Sequence, residues 1–430
     1  MTMTMAGRDR RARRSVKQRT QQSRPTTALL MRLPWRTVIF IGFFLLPLYA
    51  TGIAEAVDRI PSQGSEPIRI GVVGALTGPK MPYGRSQLHG AELAALEINS
   101  GGGIAGRKIE IVSADDHGEP GDVGSIADGL IHRDRVAAIV GSVDSGCTHV
   151  LAMLAVKCHV PHITCVATDP SLTRAGTPWT FRTLADDERQ AEALVEWLHT
   201  NNVSRLALIA AETRYGKMGA KTMTRRARAV GMRVDGPYMI AISSDKNDAR
   251  KNPDAGDPED IVARALNGAS SGEFAPDAVV IWGLAREGVR VAAALSKLKF
   301  HGIICGGDGL ATPAFYGSAA SETEGIIVTC PYVESDPGPA NRIFREAYRQ
   351  AYGELPDSFA AHAWDTLHLI AKAHSTAGPE ASPDAFREAI SLVGSNFEGA
   401  TGRIAFDATG NDTRRVRLAR CRAGTLEPFK

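Results

Sequence analysis

Three short segments bring together small, hydroxyl-bearing and glycine residues directly after apolar runs. They are ALTGP at 75–79, continued by Tyr83-Gly84, then GSVDSG at 141–146 and VATDP at 166–170. Hydroxyls and free backbone N–H groups at the start of a helix suit a carboxylate or another small anion. Taken singly, Ser145 and Thr168 read better as helix caps than as ligand contacts. Three such loops at one sheet edge favour a site.

The motifs of common catalysts are missing. GVVGALTG at 71–78 follows a strand but lacks G-x-G-x-x-G spacing, and no G-x-x-x-x-G-K-[ST] loop is present. The spacing of 141–146 is not that of a nucleophile elbow. Asp115, Asp116 and His117 have metal-ligating side chains but read as a solvated turn. His159 and His162 flank Pro161 and read as loop residues, and no Cys/His set has zinc spacing. The balance points to binding without catalysis, metal or cofactor.

The elements that must carry these loops alternate. Strands are expected at 68–73, 108–113, 137–140 and 162–165, with helices at 87–100, 123–132 and 148–158 between them. From Glu188 the rhythm restarts. Helices at 188–200, 218–230, 261–266 and 286–298 separate strands at 205–210, 239–242, 278–282, 302–305 and 326–329. Short apolar strands divided by helices imply parallel sheets covered on both faces. Helices at 339–352, 359–376 and 382–392 follow, and 401–407 with 415–422 reads as a terminal β-hairpin. The polar stretch 243–259 reads as a surface loop.

A chain of 430 residues exceeds one compact core, so two domains are expected. The net charge of +3 hides a split: ten Lys/Arg stand against Asp9 and Glu55 in residues 1–56, leaving 40 basic and 45 acidic residues beyond. The basic excess lies in the leader, and a nucleic-acid-binding face on the folded part is not supported. Arg32 and Arg36, the apolar run 37–49 and the Ala54-Glu55-Ala56 site make a cleaved export signal over 1–56, complete in itself if translation starts at Met31. Cys147 and Cys158 on one helix stand about 16 Å apart, beyond the roughly 7 Å a disulfide allows. Cys305 and Cys330 are candidate neighbours or buried free thiols.

At these residues the chain resembles a known family. The run from Ile68 to Asp116, with NSGGGIAG at 99–106, ATDPSLT at 167–173, Phe181-Arg182 and Tyr215-Gly216, is similar to the leucine/isoleucine/valine-binding proteins, the type I periplasmic binding proteins. The likeness runs in order over about 67–420. It implies two doubly wound parallel-sheet α/β lobes joined by a three-stranded hinge, lobe one being 67–185 plus 331–400 and lobe two 186–330 plus 401–430. It implies a monomeric, periplasmic receptor that takes a small polar ligand, an amino acid or related carboxylate or amide, to an ABC transporter permease; the alternative is a sensor signalling to a membrane partner. By the same likeness Ser145, Val166 (backbone) and Thr168 hold the ligand carboxylate, Asp308 its ammonium, and Tyr83 and Tyr215 wall the pocket. Leu284 stands where an aromatic residue is usual. Gly118 and Asp144 occupy places that often form a disulfide.

Overall fold

The computed structural model describes residues 66–174, 176–241, 257–268, 275–317 and 320–428. The expected leader 1–56, with Met31, and residues 243–256 of the polar loop lie outside them. The last three residues of that loop are not irregular: Asp257 caps a helix that begins at Pro258, its carboxylate accepting from Glu259 N.

The strands are β1 (Ile68–Gly74), β2 (Ile109–Asp115), β3 (Ala138–Gly141), β4 (His162–Thr164), β5 (Thr180–Arg182), β6 (Arg205–Ala211), β7 (Arg233–Ile240), β8 (Ala278–Trp282), β9 (Ile303–Gly306), β10 (Ile327–Cys330), β11 (Phe397–Gly399), β12 (Gly402–Ile404), β13 (Arg417–Arg422) and β14 (Thr425–Pro428). The helices are α1 (Met81–Ser100), α2 (Val123–Asp128), α3 (Ser145–Cys158), α4 (Ser171–Arg174), α5 (Asp187–Thr200), α6 (Arg214–Ala229), α7 (Pro258–Asn267), α8 (Ala285–Lys297), α9 (Pro313–Tyr316), α10 (Ala320–Thr323), α11 (Pro339–Tyr352), α12 (Ser358–Ala377) and α13 (Pro383–Gly394). Among the described residues no helix is long and apolar enough to cross a membrane.

One sheet runs β2-β1-β3-β4-β5, entirely parallel. The other runs β14-β13-β10-β9-β8-β6-β7. Its strands β6 to β10 are parallel, while β13 adds to β10 antiparallel and β14 to β13. The parallel-sheet expectation therefore holds for the first sheet and is corrected at the edge of the second. The terminal hairpin is corrected too. Residues 401–407 do not pair with 415–422; β11 pairs with β12, and β13 with β14 around Gly424. The period-2 pattern was read across a connection that changes sheets.

Strands such as β1 and β8 are buried on both faces because helices cover both sides, so their sequences are nearly continuous apolar runs. In each sheet the strand order reverses beside the first strand, between β1 and β3 and between β6 and β8. The loops at those strand ends splay apart and leave a crevice. Two helices close tightly onto these strands through glycine. A Cβ on Gly84 of α1 would sit 2.1 Å from Ala75 O, and one on Gly216 of α6 only 2.0 Å from Ala211 O. Each glycine follows a tyrosine, so the close approach fixes where Tyr83 and Tyr215 emerge.

All six cysteines are free. Cys305 and Cys330 lie on the adjacent strands β9 and β10, where the register partner of Cys305 is Ile327. Gly84→Ala and Gly216→Ala should each lower stability by about 1–3 kcal/mol or more, since backbone cannot yield to the new methyl. Gly121→Ala, with no atom within 4 Å of its new Cβ, should change it by less than about 0.5 kcal/mol. Urea midpoints of the three variants check this.

Candidate functional site

The strand-end loops of the two sheets enclose a cavity of about 450 Å³ of atom-free space, partly continuous with solvent. Tyr83, Ser145, Val166, Thr168, Tyr215 and Asp308 all line it. The sequence reading thus names six residues from five loops that the fold brings to one place.

Two tyrosines meet at a single peptide. Tyr83, buried edge-on to Phe359 with ring centroids 5.1 Å apart, donates its hydroxyl to Gly309 O at 3.1 Å and accepts from Ala285 N at 2.7 Å. Tyr215 donates to Asp308 Oδ1 at 3.0 Å and accepts from Gly309 N at 3.1 Å. Tyr83 belongs to the first lobe and Gly309 to the second, so the Tyr83 bonds tie the lobes. Gly309 has no room for a side chain: a Cβ there would lie 2.6 Å from Gly283 O.

On the first lobe, Asp144 is the cap of α3, accepting from Gly146 N at 2.7 Å and Cys147 N at 3.2 Å. Ser145, the first helical residue, is therefore not the cap. Thr168 Oγ1 is buried with no hydrogen-bond partner and caps nothing. The capping alternative for both residues is overturned.

On the second lobe, Asp308 begins a short turn after β9 and is buried. Its backbone N–H donates to Gln190 Oε1 at 3.1 Å, and Thr329 Oγ1 donates to the same oxygen at 2.5 Å, so α5 fixes this turn to β10. Burial pushes the Asp308 carboxyl up to about 6, against bonds from Tyr215 and Gln190. Asp187, at the start of α5, donates its N–H to Thr168 O at 3.0 Å. Both its carboxylate oxygens are buried without a partner. Burial first, against the nearby Thr168 hydroxyl and with the charges of Asp308, Asp169 and Asp186, holds its carboxyl well above the usual range.

Carboxylates also pin the loops. Asp115 accepts from Leu76 N at 2.8 Å and Thr77 Oγ1 at 2.6 Å. Asp116 accepts from Gly118 N and from the Ser142 hydroxyl and is fully buried, which corrects the reading of 115–117 as a solvated turn. His162 bears out the strand expected at 162–165 over the loop reading. It opens β4, its Nε2 lies 2.5 Å from Gly141 O, and burial lowers its pKa to about 4. Gly118 and Asp144, where the resembled family often has a disulfide, are joined otherwise: Lys80 Nζ donates to Gly118 O at 2.9 Å and Asp144 Oδ2 at 2.6 Å.

At the lip of the cavity Arg214 of the second lobe reaches the first, its Nε 2.7 Å from Asp169 Oδ2 and its Nη2 3.0 Å from His149 Nε2. Asp169 is fully buried. Burial by itself would raise its carboxyl, but bonds from His149 and Ser171 and the Arg214 charge outweigh that and hold it well below the usual range.

The sequence profile of the family described as "Periplasmic binding protein" matches residues 67–425. The chain belongs to the periplasmic binding protein family. Its fold is that family's type I form, and the members are periplasmic solute receptors. It is 29% identical over 348 residues to the Leu/Ile/Val-binding protein BraC3 of Rhizobium johnstonii, covering 80% of this chain and 89% of that one. The substrate-binding protein LivJ of Streptococcus pneumoniae, solved with isoleucine, superposes with a TM-score of 0.71 at 26% identity, covering 84% and 98%. A solute-binding protein of an ABC transporter from R. palustris, solved with benzoate, gives 0.72 at 20% identity, covering 84% and 95%, a likeness of fold.

Sequence reasoning missed Lys80, Asp144 and Phe359 on the cavity wall and Asp187 behind it. Asp187 gave one signal, an acid at the start of an otherwise amphipathic helix, but helix starts favour acids anyway.

Arg214→Gln removes the ion pair across the lip while Asp169 keeps Ser171 and His149. Because Arg214 is 44% exposed, the pair is screened. A bound solute should dissociate about 3- to 10-fold faster, equivalent to roughly 1 kcal/mol, with its association rate little changed. Stopped-flow fluorescence measures both; an unchanged dissociation rate would remove the latch from closure.

Proposed function

We propose that this chain is an exported, periplasmic receptor that captures a small zwitterion, an amino acid, between its lobes and delivers it to an ABC transporter permease. In this reading the lobes, 67–185 with 331–400 and 186–330 with 401–430, close about the crossings near 185, 330 and 400. Closure on solute creates the form a permease recognises. The chain binds and does not catalyse.

The observation that carries the reading is the pairing of unlike half-sites in one cavity. One wall offers the Ser145 and Thr168 hydroxyls beside the N-terminus of α3, with the Val166 backbone. The buried Thr168 hydroxyl makes no well-aligned hydrogen bond and is near enough to the Asp187 carboxyl to interact with it, so it is open to a ligand atom. That wall suits a carboxylate. The other side holds Asp308, and Asp187, buried near Thr168, keeps two carboxylate oxygens without a well-aligned bond. An ammonium brought between them satisfies those oxygens and favours their ionised form. Relatives named for leucine, isoleucine and valine, and the isoleucine complex of LivJ, support an α-amino acid as the class.

The sign of the pH dependence follows. In the empty site Asp308 takes up a proton as pH falls through about 6, and the neutral acid attracts an ammonium less. Affinity for the preferred amino acid should weaken below that pH, at most about tenfold per unit for one proton. Asp308→Asn should flatten this dependence and weaken binding near neutral pH by about 2–5 kcal/mol. Calorimetric titration with the common amino acids across pH tests the proposal. A flat profile together with a loss under about threefold would leave Asp308 to the turn alone.

The opposite half-site has its own check. Replacing Ser145 and Thr168 with Ala together removes two bonds to an anion, each worth roughly 1.5–3 kcal/mol. Binding should fall accordingly while the melting temperature of the ligand-free protein barely moves, because neither side chain caps a helix. Unchanged binding would take both residues out of the site.

A further inference from the structure

Beyond the groups that meet the two charges of a zwitterion, the cavity lining includes the apolar Val143, Leu284 and Phe359 and the polar Lys80, Asp144 and Thr213. Lys80 is the one cation among the described lining residues, and its side chain is only 19% exposed. An ammonium carries three N–H donors. Two are taken, by Gly118 O at 2.9 Å and Asp144 Oδ2 at 2.6 Å. The third is left for whatever fills the cavity that the side chain lines.

We infer that Lys80 selects amino acids whose side chain ends in a carbonyl oxygen, a carboxamide or a carboxylate, over branched aliphatic ones. The inference rests on the amino-acid reading of the site. An aliphatic side chain packed here strips water from an ammonium N–H and gives nothing back, which is costly for a charged donor. A carbonyl oxygen accepts that N–H in a charge-assisted bond. Both bonds that Lys80 already makes anchor it to the loops after β2 and β3, so its position is set before the ligand arrives. Leu284, Val143 and Phe359 then pack the methylene stem of such a side chain.

The test compares glutamine, glutamate and leucine by calorimetric titration on the wild-type protein and on Lys80→Met, which keeps the stem and removes the ammonium. Lys80→Met also frees Gly118 and Asp144, and the loosened loop would weaken every ligand held at Ser145. The readout is therefore the ratio of affinities, which a merely structural role would not move. Wild-type protein should prefer glutamine or glutamate to leucine, and the substitution should cut that preference at least tenfold. A smaller fall, or a wild-type preference for leucine, overturns the assignment. Whichever of glutamine and glutamate loses more names the carbonyl group. If none of the common amino acids binds the wild-type protein at millimolar concentration, the amino-acid reading itself fails, and this inference with it. If they bind and the ratio stays put, only the role of Lys80 falls.

Discussion

The Gly309 peptide is the joint on which the cleft depends. Its N–H donates to the Tyr215 hydroxyl and its carbonyl accepts from the Tyr83 hydroxyl. Neither tyrosine could reach it without the glycine that follows, because Gly84 and Gly216 let α1 and α6 sit against the last residues of their strands. Nor could Gly309 carry a side chain, with Gly283 O and the Tyr215 ring against the position a Cβ would take. Five residues of two types, glycine and tyrosine, thus define one small volume. The charge of Asp308 enters it from the adjacent residue, held by the same Tyr215 hydroxyl.

Around this joint, aspartates do the work of ordering backbone. Asp115, Asp116, Asp144 and Asp169 each accept at least one backbone N–H in or beside a strand-end loop, and all four also take a side-chain donor from another segment. Such bonds satisfy loop amides that no sheet or helix serves. They differ from Asp187 and Asp308 in outcome. The well-supplied Asp169 is held in its ionised form, whereas burial pushes Asp187 and Asp308 toward the neutral one. The same residue type therefore separates into framework and site by how far bonds and charges offset burial, and of the two raised carboxyls Asp308 lines the cavity.

That distinction marks the limit of what the sequence could reveal. The alternation of strands and helices was legible because buried parallel strands leave unbroken apolar runs, and the chemistry-bearing loops follow from strand ends. The six predicted lining residues were legible mainly through resemblance to a family, since Ser145 and Thr168 look like caps in isolation. Asp116 and His162 were misread because polarity in a one-dimensional string suggests solvent. Both are buried by partners far along the chain, Ser142 for one and Gly141 for the other. Lys80 was invisible for the opposite reason: a lysine after Gly-Pro reads as an exposed turn, and only the fold brings Gly118 and Asp144 to it. The terminal hairpin failed because alternation reports a strand without naming its partner.

Two kinds of contact close this cleft, and they have different consequences. The bonds of Tyr83 to Gly309 and Ala285, and of Arg214 to Asp169, join the loops of the two sheets. In the proposed receptor such bonds contribute to closure whatever is bound, so they bear on how tightly every ligand is held more than on which one. In that reading discrimination falls to groups without a well-aligned protein partner: the Thr168 hydroxyl, the Asp187 carboxylate and the third N–H of Lys80. A site that hydrogen-bonds a ligand group rejects an analogue lacking it far more strongly than an apolar pocket rejects a missing methylene, because its own buried groups are then stranded. Affinity and selectivity are thereby carried by separate residues, and change at the lip can retune release without changing what is recognised.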